Sequence, residues 1–187
     1  MRSKNTKIWV EGTILAALAM VLSMIPLSIG SSYSISLGQI PLAVYALRRG
    51  VKPGLLAAFI WGLLHFPTAN VYFLSPAQVL IEYPVAFTFA GFTGIASVKL
   101  QQALANKDEK SARFQIVYGV LVGAIARYFW HFVAGWIFWG QYALWGLSPV
   151  IFSLVMNAAS GLSTGIVTIV VLLIFYRVFP DIFVPKD

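Results

Sequence analysis

The chain has 187 residues, of which 59% are hydrophobic and only 10% are charged. About a quarter of the residues of a soluble domain are charged, so this composition predicts an integral membrane protein that spans the lipid bilayer. The net charge of +7 is spread among short links between apolar segments, which argues against a nucleic-acid partner. The absence of cysteine excludes disulfides, thiol catalysis and cysteine-based metal sites.

Apolar segments follow one another along the whole chain. They predict an all-α membrane protein of six transmembrane helices in a single membrane domain, residues 1–187. In chain order, the predicted spans cover about residues 8–29, 37–47, 53–66, 76–98, 114–138 and 149–179. The link from Lys99 to Arg113 is polar and charged, so it is expected to be solvated.

The distribution of basic residues predicts the orientation of the chain. Twelve of the 13 lysines and arginines flank spans on one side, and Arg127 is the exception. The links at 27–36, 67–75 and 139–148 contain no charged residue. The positive-inside rule then places both termini in the cytoplasm and the three uncharged links outside.

Four strongly polar side chains fall within the predicted spans: Glu82, Arg127, His131 and Asn157. At about 1.5 Å per residue, Glu82 lies about 9 Å below the outer surface, His131 about 10 Å, Asn157 about 12 Å and Arg127 about 16 Å. Ionisable groups at membrane depth are costly and usually functional. Three helices therefore contribute polar groups to one outer layer, which predicts a ligand pocket.

A structural interpretation stands beside the functional one. In it, Glu82 and Arg127 form a buried ion pair, while His131 and Asn157 hydrogen-bond neighbouring helices. We favour this interpretation for Arg127, which would hold Glu82 ionised and in place. We favour the pocket for the other three residues, because they gather near aromatic, uncharged links.

Aromatic residues adjoin the same layer and indicate the kind of ligand. They are Tyr72, Tyr83, Trp139 and Tyr142. A carboxylate among aromatic rings suits a flat organic cation, because the rings add cation–π attraction. His65 lacks a polar neighbour in sequence and is interpreted as interfacial. In the last span, Ser153 begins a polar stripe that contains Asn157.

The first span carries small residues at helical spacing, which let another helix approach closely. Gly12, Thr13, Ala16 and Ala17 are candidates for docking a partner subunit, with internal packing as the alternative. The sequence contains neither a phosphate-binding loop nor a metal-binding or nucleophile motif, so we expect no enzymatic activity, no bound cofactor and no metal.

Several segments resemble one family, the thiamine-specific S-components (ThiT/YuaJ) of energy-coupling factor (ECF) transporters. The matching segments are Leu80–Tyr83, Arg127–Ala143, Ser153–Gly161, Leu47–Leu55 and Ala16–Ala19. The resemblance implies a six-helix protein of the bacterial plasma membrane that binds thiamine near the outer surface under its first loop. It also implies docking through the first helix to an ECF module of one membrane coupling protein and two ATPase subunits.

The resemblance also assigns residues to the thiamine site. It implies substrate contacts by Glu82, His131, Trp139, Asn157, Tyr72 and Tyr83, with Arg127 at a basic position. The chain departs from the family pattern in two places. Phe152 stands where the family has a pocket tyrosine. In Ser31–Gln39 the family has a tryptophan and a glutamate, whereas here Tyr33 is the only aromatic residue. Another vitamin or a precursor such as a hydroxymethylpyrimidine is the alternative ligand, and a stand-alone channel or scaffold is the alternative class.

Overall fold

The computed structural model describes residues 2–30 and 32–185, with the side chains of residues 2–4 excepted. Ser31 of the first link and Lys186 of the predicted cytoplasmic flank lie outside the described residues. The side chains of Arg2 and Lys4, which belong to the same predicted flank, are also not described.

Six helices build the described part of the chain, and the prediction of a six-helix, all-α fold is confirmed. They are α1 (Arg2–Ser23), α2 (Gln39–Arg49), α3 (Val51–Leu64), α4 (Pro76–Ala105), α5 (Glu109–Phe138) and α6 (Pro149–Val178). Residues Asn5–Ser23 and the helices α4, α5 and α6 are long and apolar enough to cross a membrane. At 11 residues, α2 is only about 16 Å long, and α3 has 14 residues.

The links differ from the predicted ones in two places. The first helix ends at Ser23 rather than near residue 29 because a two-stranded antiparallel hairpin follows, β1 (Ser28–Ile29) and β2 (Tyr33–Ser34). The stretch from Lys99 to Arg113 is mostly helical, because α4 continues to Ala105 and α5 begins at Glu109, while most of its side chains are exposed. An N-cap starts α5, since the Asp108 carboxylate accepts a hydrogen bond from the Ser111 N–H at 3.0 Å.

A single glycine joins α2 to α3. Gly50 has φ +91°, a backbone conformation that favours glycine, and its N–H donates to the Ala46 carbonyl at 2.8 Å. The preceding Arg49 pairs with Glu11 of α1 at 2.6 Å, and Arg48 pairs with the same carboxylate at 3.2 Å. These contacts fix α1 against α2 at the basic end of the bundle.

Helix α4 is irregular. A π-helical turn at Ile81–Val85 and a 3₁₀ stretch at Ala90–Ala96 interrupt its α-helical geometry. Its backbone lies very close to α3, since a Cβ placed on Gly54 would come within 2.9 Å of the Gly91 carbonyl oxygen. Small residues at such crossings let two helix backbones approach closely.

The small residues of α1 divide between two faces. Gly12 and Ala16 are buried, and a Cβ on Gly12 would lie 2.6 Å from the Tyr45 hydroxyl oxygen. Their burial favours internal packing, the alternative to partner docking, because they pack against the chain's own helices. Thr13 and Ala17 are exposed on the neighbouring face of α1.

Candidate functional site

A cavity of about 590 Å³ lies at the end of the bundle that carries the three uncharged links. The structure gives these links the bounds 24–38, 65–75 and 139–148, and we call them the first, second and third links. Every residue predicted to bind or support the ligand lines this cavity: Tyr33, Tyr72, Glu82, Tyr83, Arg127, His131, Trp139, Tyr142, Phe152, Ser153 and Asn157. The structure thus brings them together, while their contact with a ligand stays a prediction.

Glu82 occupies the π-helical turn of α4 and is half-buried. The Trp139 indole N–H donates to its Oε1 at 2.6 Å, and the Gln78 amide donates to its Oε2. A π-helical turn widens the helix locally and is frequent at functional sites. Both carboxylate oxygens therefore already accept one hydrogen bond from the protein.

Gln78 connects this carboxylate to the second link. Its side chain is 0% exposed, its Oε1 accepts from the Leu74 N–H at 2.9 Å, and its Nε2 donates to the Tyr72 carbonyl at 3.0 Å. Ser75 caps the start of α4 by accepting from the Gln78 N–H at 3.1 Å. The sequence interpretation missed Gln78, although its position four residues before Glu82 places both side chains on one helix face.

Aromatic rings form the wall beside Glu82. The rings of Tyr72 and Trp139 meet edge to face at 6.4 Å, and Tyr142 lies 5.7 Å from Trp139. Tyr83 is buried, and its hydroxyl accepts from the Tyr72 N–H at 2.8 Å. Tyr83 therefore holds the second link in place as well as lining the cavity.

Arg127 does not pair with Glu82, which corrects the predicted ion pair. Its Nη1 donates to the Gln39 side-chain carbonyl at 3.1 Å, and its guanidinium carbon lies 4.2 Å from the Phe87 ring centre and 4.7 Å from that of Trp61. Among the described residues it forms no ion pair with a carboxylate. The aromatic rings take the place of a counter-ion, because a desolvated guanidinium is attracted to ring faces.

His131 and Asn157 line the cavity from α5 and α6. The His131 ring packs against Phe87 at 5.7 Å and Tyr128 at 5.5 Å. Asn157 donates through Nδ2 to the Ser153 carbonyl at 2.9 Å, and the Ser153 hydroxyl donates to the Phe132 carbonyl at 2.8 Å. Ser153 therefore joins α6 to α5 and orients Asn157.

The first link is fastened to α6. The Tyr33 hydroxyl donates to the Ser163 hydroxyl at 2.9 Å, and the Ser34 N–H donates to the Ser160 hydroxyl at 3.1 Å. The Ser36 N–H likewise donates to the Thr164 hydroxyl at 3.1 Å. The polar stripe of α6 thus continues from Asn157 into a row of hydroxyl groups that holds the hairpin.

His65 is not interfacial, which corrects its predicted place. It is 4% exposed and lines the cavity, with its ring 4.4 Å from that of Phe87 and 5.3 Å from that of Tyr83. Its Nδ1 lies 3.0 Å from the Trp61 carbonyl oxygen. These ring partners belong to α4, so nothing in the sequence next to His65 indicates them.

The arrangement suits recognition of an aromatic cation. Glu82 presents a carboxylate among aromatic rings, and Asn157 adds an amide from α6. Within residues 2–30 and 32–185 there is no cluster of three or more His, Asp or Glu that could hold a metal ion. The described residues of this cavity offer hydrogen bonds, aromatic contacts and a charged carboxylate.

Comparisons with known proteins give one consistent family. The family model described as thiamine transporter protein (Thia_YuaJ) matches residues 9–184. Thiamine transporter ThiT of Lacticaseibacillus paracasei is 38% identical over 188 aligned residues, which cover 98% of this chain and 94% of that protein. Thiamine transporter ThiT of Bacillus subtilis is 29% identical over 182 residues, covering 96% of this chain and 95% of that protein.

A solved structure gives the same result. The structure of ThiT from Listeria monocytogenes is 47% identical in sequence and matches this fold with a TM-score of 0.95, covering 97% of this chain and 100% of that chain. The matches confirm the resemblance seen in the sequence, and the agreement in fold extends over nearly the whole chain. This chain therefore belongs to the thiamine transporter family (Thia_YuaJ).

Proposed function

We propose that this chain is the substrate-binding membrane subunit that captures thiamine at the outer face and delivers it through an ATP-driven ECF transporter complex. Its membership of the thiamine transporter family supports the ligand and the transport role. One membrane coupling protein and two ATPase subunits complete the proposed complex. The proposed setting is the plasma membrane of a bacterium, with both termini in the cytoplasm.

The observation that carries the proposal is the Glu82 carboxylate, which both Trp139 and Gln78 hold inside an aromatic cavity. Thiamine joins an aminopyrimidine, which has N–H groups, to a positively charged thiazolium ring. The half-buried Glu82 carboxylate can accept hydrogen bonds from the aminopyrimidine and balance the charge of the thiazolium. The cavity volume of about 590 Å³ falls within the usual range of about 300–1,000 Å³ for small-molecule sites.

The other cavity residues take distinct roles. Tyr72, Trp139 and Tyr142 offer ring faces and edges to the flat ligand. His131 and Asn157 fix its orientation from α5 and α6. Because the Asn157 Nδ2 donates to Ser153, its carbonyl oxygen is the group offered to a donor on the ligand.

Energy for transport has to come from partner subunits. The sequence contains no phosphate-binding loop, so we assign ATP hydrolysis to the two ATPases of the complex. On α1, the exposed Thr13 and Ala17 are the remaining candidates for docking the membrane coupling protein. Small residues on a lipid-facing helix surface allow a second helix to pack closely.

Isothermal titration of the purified protein with thiamine tests the binding step. Glu82→Gln keeps the shape but removes the charge, and we expect a loss of about 2–5 kcal/mol, as for truncating one partner of a buried charge pair. That is roughly a 30-fold loss of affinity or more. The matched control is Glu109→Gln, on an exposed carboxylate that pairs only with Arg113 among the described residues. Unchanged affinity in both Glu82→Gln and Trp139→Ala would refute the assigned site.

Two further measurements separate the alternatives. Mass spectrometry of the ligand that co-purifies with the protein identifies it directly. Equal competition by hydroxymethylpyrimidine and by thiamine would reassign the ligand to the precursor. Uptake into proteoliposomes that needs no ATPase partner would contradict the transport mechanism.

A further inference from the structure

The Gln78 amide has one possible orientation. The Leu74 N–H is a donor and therefore requires the Gln78 oxygen, whereas the Tyr72 carbonyl is an acceptor and requires the Gln78 nitrogen. Both contacts come from the backbone of the second link. The remaining N–H of the amide then points to the Glu82 carboxylate, so Gln78 meets Glu82 as a donor.

Trp139 is likewise a donor to the other carboxylate oxygen. An indole N–H is a donor only, and it lies 2.6 Å from Glu82 Oε1. Two fixed donors on the two oxygens favour the ionised carboxylate over the neutral acid. Arg127, the one lysine or arginine among the described residues that line the cavity, is engaged by Gln39 and by aromatic rings instead.

We propose that Gln78 is a positioning and specificity-determining residue that presents Glu82 to the cavity as an ionised acceptor. The inference rests on the proposed function and deepens it. A carboxylate has about four lone-pair sites, and two of them are occupied by Gln78 and Trp139. The other two sites require donors, so the site selects a ligand that carries N–H groups and positive charge.

The test compares two ligands that differ in charge. One is thiamine, and the other is an uncharged isostere in which a neutral five-membered ring replaces the thiazolium. In Gln78→Leu we expect the affinity for thiamine to fall about 10-fold or more, as for a lost hydrogen bond to a charged group. The affinity for the isostere should fall by less than about 3-fold, because its neutral ring carries no charge for the carboxylate to balance.

Gln78→Glu keeps the side-chain length but turns acceptor oxygens toward Glu82. It should lower the thiamine affinity further than Gln78→Leu does, because two like charges would face each other. The matched control is Ser75→Ala, which weakens the same turn of α4 but leaves the Gln78 amide contacts in place. It should change both affinities by the same factor.

The outcomes separate this inference from the proposed function. If the wild-type protein does not bind thiamine, the proposed function fails. If it binds thiamine and the Gln78 variants weaken both ligands equally, Gln78 only holds the second link and the inference is overturned.

A measurement without a Gln78 variant covers the case in which those variants do not fold. The infrared difference spectrum between the wild-type protein and Glu82→Gln, recorded without ligand, reports the state of Glu82 directly. We expect a carboxylate band. A carboxylic-acid band in its place would overturn the inference.

Discussion

Replacing Arg127 by lysine should destabilise the fold while leaving thiamine binding nearly intact. Arg127 is 4% exposed and lies between the rings of Phe87 and Trp61, with one hydrogen bond to Gln39. Lysine keeps the charge and hence the cost of burying it. It loses the planar group that stacks on the rings and reaches Gln39.

The magnitude follows from those contacts. A hydrogen bond involving a charged group contributes about 1.5–3 kcal/mol, and a desolvated cation–π contact contributes about 2 kcal/mol, of which lysine retains a part. The free energy of unfolding should therefore fall by about 2–4 kcal/mol. For a chain of this size, about 2–4 °C per kcal/mol converts this to a Tm lower by about 4–16 °C.

A thermal melt in detergent, followed by thiamine titration below the melting point, checks both parts. Arg113→Lys is the matched control, because that arginine forms an exposed pair with Glu109 and should leave the Tm unchanged. Affinity should change by less than about 3-fold in Arg127→Lys. A loss of 10-fold or more at an unchanged Tm would show that Arg127 acts on Glu82 or on the ligand, against the geometry.

Three other variants test separate parts of the structure. Ser163→Ala removes the acceptor of the Tyr33 hydroxyl, a hydrogen bond that contributes about 0.5–1.5 kcal/mol. Stopped-flow fluorescence should therefore show thiamine dissociating about 2–12-fold faster. An unchanged dissociation rate would contradict a role of this bond in holding the hairpin. Gly62→Ala puts a Cβ 2.5 Å from the Tyr83 carbonyl oxygen. Unfolding assays should therefore show the free energy of unfolding lowered by about 1–3 kcal/mol. A variant as stable as the wild type would contradict the close packing of α3 on α4. Ala17→Leu places a larger side chain on the exposed face of α1. Calorimetry should show unchanged thiamine binding, while thiamine uptake by the assembled complex falls. Normal uptake would exclude this face as the docking surface.

The convergence of Glu82, His131 and Asn157 could be predicted from the sequence because a helix has a fixed rise. Each residue lies a similar number of positions from an uncharged link, so their depths can be compared before any packing is known. The structure brings all three to one cavity. Depth, however, says nothing about the direction in which a side chain points.

The contacts of Arg127 and His65 depend on that direction, and the sequence does not contain it. Both residues meet Phe87, whose orientation follows the π-helical turn of α4. An apolar sequence around His65 therefore suggested a lipid interface where the structure has a buried ring cluster. The small residues of α1 present the same difficulty, since Gly12 and Thr13 are adjacent in sequence but lie on a buried and an exposed face.

The wide turn at Ile81–Val85 lies between two parts of α4 whose residues have different partners. Gln78 precedes the turn and donates a hydrogen bond to Glu82, which lies in the turn and lines the cavity. Beyond the turn, Gly91 packs against α3. One residue more or less in a regular helix rotates everything beyond it by about 100°. The turn therefore shifts the register of the helix, so that Glu82 faces the cavity while Gly91 faces α3. Deleting one residue there would restore a single register and force either the carboxylate or the glycine face out of place.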